Sequence, residues 1–222
     1  MQKFATTAPI AAVLDIPGGH IRFIAADRAD TTVEVLPANA AKGRDVKAAE
    51  QVTVAYENGV LRIEAAPAKN RLLGPSGSVE VTVQLPAGSH VEAKAAGAEL
   101  RGVGRLGDVT FESAQGTVKL DEAASAHLTV LDGDITIGRL SGPARISTKQ
   151  GDIRITEAQR GTVTLRTDAG AISVDAARGV SAALDAGTGH GRIHNALKNT
   201  EGTPALTIHA TTAYGDITAR SL

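Results

Sequence analysis

Four carboxylates stand directly behind glycines, at Asp108, Asp134, Asp152 and Asp216, and repeated acidic corners are one way to present oxygen ligands to calcium. The equivalent positions elsewhere hold Thr117, Ala171 and Arg192, so the row of oxygens is broken. The spacing is also far from the roughly nine-residue period of a calcium roll. These acids therefore read as bend formers, each hydrogen-bonded to nearby backbone. His190 and His194 are four residues apart, the separation at which two zinc ligands meet on one face of a helix. In a strand the same separation leaves them about 13 Å apart, too far to share an ion. His209 could approach His194 across neighbouring segments, but the reading favoured for all six histidines is structural, with His20, His90 and His127 as outward strand or turn residues.

Other chemistries find no constellation in the sequence. Gly187-Thr-Gly-His-Gly191 is glycine-rich, but neither a helix nor a Lys-Ser/Thr pair follows it, as a phosphate cradle requires. The nearest imitation of a nucleophile elbow, Gly74-Pro-Ser-Gly77, has the wrong spacing. Cysteine is absent, which removes thiol catalysis, disulfides and thiolate metal sites together. The expectation is no catalytic, cofactor-binding or metal-ligating residue, no cofactor, and a protein that is not an enzyme.

What positions these residues is a repeat. Gly116-Thr-Val-Lys-Leu120, Gly133-Asp-Ile-Thr-Ile137, Gly151-Asp-Ile-Arg-Ile155, Gly170-Ala-Ile-Ser-Val174, Gly191-Arg-Ile-His-Asn195 and Gly215-Asp-Ile-Thr-Ala219 recur, with Gly97 as the start, at intervals of 19, 17, 18, 19, 21 and 24 residues. Within each phrase apolar and polar residues alternate, the period of a half-buried strand. Between phrases lies a second alternating stretch, for example Leu128 and Val130, Val163 and Leu165, or Leu206 and Ile208. Each period thus holds two strands and two corners, one of them Ser113-Ala-Gln-Gly116, Thr148-Lys-Gln-Gly151 and Thr167-Asp-Ala-Gly170. Such short strands stack most readily as coils, each pairing in parallel with its equivalent one coil later, because a single coil can neither cover its apolar residues nor satisfy its backbone. The fold expected is all-β, a parallel β-helix or β-solenoid-like stack of coils of about 18–20 residues, helix content very low. Extra residues at Ala186 to His190 and Asn195 to Pro204, where the period lengthens, are expected to protrude as loops, and insertions in repeat arrays gather on binding faces.

The whole chain, 1–222, reads as a single domain, with residues 1–96 an N-terminal β-rich capping segment and 97–222 the repeat coils. Asn58-Gly59 marks a type I′ hairpin, Gly19-His-Ile-Arg-Phe23 resembles the later phrases, Ala38 to Glu50 reads as a loop or short helix, and Pro67 to Gly77 as a mobile loop. The net charge is -1 with basic residues scattered, which builds no field for nucleic acid. No run approaches the roughly 18 apolar residues of a membrane span. The apolar run Ala8 to Leu14 is short, split by Pro9 and followed by Asp15, unlike an export signal, so the compartment expected is the cytoplasm.

The phrases GDVTF, GTVKL, GDITI, GDIRI and GAISV, together with PIAAVLDIPGGHIRFIAADRADTTVEV and SVEVTVQLPAGSHVEAKAAGAELRG, resemble the bacterial DUF4097 family of adhesin-like proteins over essentially the whole chain. That resemblance implies a β-strand repeat protein of solenoid type and transfers no catalytic residue. Three functions fit: a non-catalytic scaffold binding an unknown protein or carbohydrate partner; a structural protein that polymerises end to end through coil edges, as bactofilins do; and a polysaccharide-active β-helix enzyme, which would need acids converging in a groove.

Overall fold

Parallel rungs dominate the molecule, whose computed structural model describes residues 1–65, 77–199 and 202–222. The loop expected over Pro67 to Gly77 falls, except for Gly77, outside the described residues. The N-terminal elements are β1 (Gln2–Ala5), β2 (Ala11–Ala26), β3 (Asp30–Pro37), α1 (Gly43–Glu50), β4 (Val52–Glu57), β5 (Val60–Ala65) and β6 (Val79–Pro86). Long strands β7 (His90–Gln115) and β8 (Val118–Asp132) follow, then β9 (Ile135–Leu140), β10 (Ala144–Gln150), β11 (Ile153–Ala158), β12 (Gly161–Ala169) and β13 (Ile172–Ala176). The chain finishes with β14 (Ala182–His190), β15 (Ile193–Ala196), β16 (Leu206–Tyr214) and β17 (Ile217–Ser221).

The stack is the β-solenoid-like coil expected from the repeat. On one side β8, β10 and β12 pair in parallel, aligning Leu128, Ile146 and Leu165; on the other β9, β11 and β13 align Ile135, Ile153 and Ile172. All six side chains are buried, so the apolar columns of consecutive rungs form one dry core. The corner between the two sides needs glycine. Gly151 has φ +134°, and a Cβ there would stand 2.3 Å from the carbonyl oxygen of Gly133, closer than atoms can approach. The hydroxyl three residues before the glycine closes the same corner: Thr167 donates to the Gly151 carbonyl at 3.1 Å and Thr212 to that of Gly170 at 3.0 Å.

The repeat begins earlier than residue 97. Strand β2 runs parallel to β7 with Gly19 opposite Ala98 and Ile21 opposite Leu100, so the Gly19 phrase is a rung in register. Gly97 itself lies opposite Gly18, and Ala98 occupies the corner site whose carbonyl Gly116 abuts. Beyond β2 the stack carries an antiparallel cap. Parallel β5 and β6 add to β2, then β4 pairs with β5, β3 with β6 and β1 with β3, all antiparallel. Phe4 of β1 and Tyr56 of β4 meet across this cap at 5.4 Å, and α1 packs on β3 and β6. Asn58 (φ 51°) and Gly59 (φ 79°) make the β4–β5 turn, both left-handed as a type I′ hairpin requires.

The C-terminal rungs depart from chain order. β16 lies between β12 and β14, and β17 between β13 and β15. The last coil of the sequence is therefore inserted beneath the one that precedes it. The glycine corners record the same order, since a Cβ on Gly215 would strike the Gly170 carbonyl and one on Gly191 the Gly215 carbonyl. Residues expected to protrude at Ala186 to His190 instead belong to strand β14. The first lengthening comes from residues 177–181, which climb two rungs, about 9.6 Å at strand spacing; of the second stretch expected to protrude, Asn195 to Pro204, Asn195 and Ala196 belong to β15 and residues 200–201 lie outside the described residues.

Candidate functional site

The insertion leaves β14 and β15 at the end of the stack, and among the described residues no strand pairs with their outer sides. Leu206 donates its N–H to the Ser181 carbonyl at 3.2 Å, while Ala182 turns its own away to Lys198 at 3.1 Å. Successive residues of a parallel strand point alternately to its two neighbours, so Leu184, Ala186 and Thr188 direct their N–H and C=O groups at the open side. The core beneath is thin there. The column Phe111, Leu128, Ile146 and Leu165 shrinks to Ala210 and Ala186, and the opposite column runs from Ile155 through Val174 and Ala219 to Asn195. Ile193 is 46% exposed, whereas its neighbour Ile217 one rung in is 1% exposed.

The ionic groups of this end turn inward along the stack. Asp185 pairs with His209 at 3.1 Å. Arg192 donates its backbone N–H and its guanidinium to Asp216, at 2.8 and 2.9 Å, and these bonds hold the Asp216 carboxyl below the ordinary carboxylate range. One rung deeper, the buried Asp175 carboxylate receives two bonds of 2.8 Å from Arg220, raising the arginine's pKa and clamping the inserted coil to β13. His190 stacks on the exposed ring of Tyr214 at 4.9 Å.

The expected site residues distribute as follows. Asp134 accepts the backbone N–H of Asp152 at 2.8 Å, and Asp152 that of Ala171 at 2.7 Å. These corner acids thus tie one coil to the next rather than steadying their own bend. Asp108 does not belong to their row: Val109 pairs with Ala126 on the opposite side of the coil, where Asp108 meets His90 and Ser125. His209 faces Asp185 and His194 faces Thr218, on different sides of the coil, so the approach of His209 to His194 does not occur. Among the described residues no three His, Asp or Glu side chains converge as a metal site. Asp175 and Arg220 had no signal in the sequence, because an acid beside Val174 looks like any outward strand residue.

A second feature is a shallow groove of about 440 Å³ along one corner. Register places Arg105, Glu122, Arg139 and Glu157 in one column across four rungs. Arg139 reaches Glu157 at 3.3 Å and Glu122 at 3.9 Å, so the column is occupied with its own pairing.

An antiparallel cap at one end, a coil of parallel rungs and a bare terminal rung define a β-solenoid repeat protein. The family described as Toastrack DUF4097 matches residues 13–221, and the chain belongs to it. No curated protein matches the chain. Among solved structures it is similar to a protein provisionally named an adhesin from Parabacteroides distasonis ATCC 8503 (16% identity, 98% of this chain and 95% of that one, TM-score 0.48). It is likewise similar to one so named from Bacteroides fragilis NCTC 9343 (12%, 98% and 95%, TM-score 0.47). A third, provisionally named a lipid binding protein, is from P. distasonis (12%, 98% and 95%, TM-score 0.45). At these identities nothing those proteins bind transfers to this chain.

Proposed function

We propose that the chain is a non-catalytic, cytoplasmic scaffold that binds a protein partner through the open rung β14/β15. The observation that carries this is the bare terminal rung: the outer backbone groups of β14 and β15 meet no strand among the described residues, whereas the first rung strand, β2, is covered by β5 and β6 and these by β4 and β3. An unpaired edge accepts an added strand through main-chain bonds. Head-to-tail polymerisation would set β14 and β15, of nine and four residues, against the outermost cap strands β4 and β1, of six and four, which run antiparallel to their neighbours, an unequal match of edges. The enzyme reading is disfavoured because outward acids such as Glu157, Asp185 and Asp216 are engaged by Arg139, His209 and Arg192. The test is capture from the cytosolic fraction of the native cell with wild type and Ala186→Pro, which deletes an outward N–H without touching the inner ladder. A partner held by wild type and lost by the variant at unchanged melting temperature supports the proposal; a partner held equally by both refutes it.

A further inference from the structure

We infer that the partner at this rung is a second copy of the chain, docked end to end about a two-fold axis to give a closed dimer. This deepens the reading above and rests on it. The decisive feature is that the open end presents two strand edges at once, β14 on one side of the coil and β15 on the other. A single extended peptide satisfies only one of them. A body that pairs with both must carry two edges at the same separation, and the end rung of a second copy has that separation by identity. A two-fold axis crossing both sides of the coil reverses each strand, so β14 meets β14 and β15 meets β15, both antiparallel, in one docking event.

Three further observations agree. The strands themselves oppose no free like charges to their mates, since Asp185 is held by His209 and Arg192 by Asp216 of the rung beneath. The half-exposed Ile193 and half-buried Leu184 lie over the end of the core, where a second copy covers them with the same residues. At the opposite end the outermost strands are β1, of four residues, and β4, of six, each antiparallel to its neighbour, so that end does not repeat the β14 and β15 edges, and an isologous contact through β14 and β15 stops at two copies. β14 has nine residues and β15 four. An end face about 30 Å long and 10–15 Å deep buries on the order of 800 Å² in total, below the roughly 1,200 Å² of stable complexes. The dimer is accordingly weak, with dissociation in the micromolar range.

The experiment is sedimentation velocity on the full chain from about 1 to 300 µM, alongside Ala186→Pro and Gly187→Glu. Gly187 has ordinary φ and open space where a Cβ would go, so the glutamate folds and sets like charges together near the axis. The expected result is a reversible monomer–dimer equilibrium for wild type, with at least a tenfold weaker association for both variants at unchanged far-UV circular dichroism. Because the chain has no cysteine, Ala186→Cys and Gly187→Cys add a positional readout: oxidation yields a symmetric disulfide only where β14 lies against its own copy. A monomer throughout the range, species growing beyond two copies, or dimers untouched by both edge variants would overturn the inference. A monomeric wild type whose native partner is still lost on Ala186→Pro overturns the dimer alone and leaves the proposed binding edge standing.

Discussion

Gly151→Ala tests the corner geometry most directly. A methyl at this position sits 2.3 Å from the Gly133 carbonyl oxygen and 2.6 Å from its carbon, both backbone atoms that no rotamer change can move aside. The backbone at φ +134° is itself a region almost confined to glycine, costing an alanine about 1–3 kcal/mol. Relief requires the two rungs to separate at the corner, where Gly133 donates to the Gln150 carbonyl at 2.8 Å and Ile135 to that of Asp152 at 2.9 Å. Weakening those two bonds adds about 1 kcal/mol each, for a total loss of about 3–5 kcal/mol. The control is Gly43→Ala, at the start of α1, where a Cβ has open space and alanine is favoured by about 0.5–1 kcal/mol. Urea unfolding followed by circular dichroism compares the two. If Gly151→Ala costs less than about 1 kcal/mol, well short of what the clash demands, the stacked-glycine corner is wrong.

Two further outcomes are expected. Ile153→Asp places an unpaired carboxylate between Ile135 and Ile172, a loss above about 4 kcal/mol; a variant melting within a degree or two of wild type would show that this residue does not face the core. In the cap, the Arg28 and Lys3 side chains hold the Asp30 carboxyl down at about 2, from an ordinary 3.8. A depressed acid stabilises the fold above its unfolded pKa and loses that contribution as pH falls through the folded one. The melting-temperature gap between wild type and Asp30→Asn is therefore constant above about pH 5 and closes between about pH 4 and 2; a gap independent of pH would remove the ion pair from the account.

The rungs were legible because alternation is a local property. Ile135 and Ile137, or Val163 and Leu165, declare an inward face whatever lies next to them, and Asn58-Gly59 admits few conformations besides a tight hairpin. The order of the rungs is a pairwise property, and there the pattern is degenerate: the edge of β12 could take Ala182/Leu184 or Leu206/Ile208 equally well by alternation. Side-chain detail decides between them. Arg220 sits opposite Asp175 only when the final coil is the inner one, and β16 offers Leu206, Ile208, Ala210 and Thr212 to the core where β14 offers small or half-buried residues. Asp108 was misplaced for the same reason, since a Gly-Asp pair looks alike at either corner of a coil. The open edge, too, follows from rung order and could not be read before it.

The inserted final coil has a mechanical consequence. In a stack laid down in chain order, a pull on the last residues peels rungs from the top, one ladder at a time, like a zip. Here the same pull drags β16 and β17 out from between two neighbours, loading the ladders above and below simultaneously and the Asp175–Arg220 clamp with them. Traction applied at the C-terminal residues is thus met by shear across two interfaces, so the rung that is bare at its outer edge rests on a coil gripped from both sides.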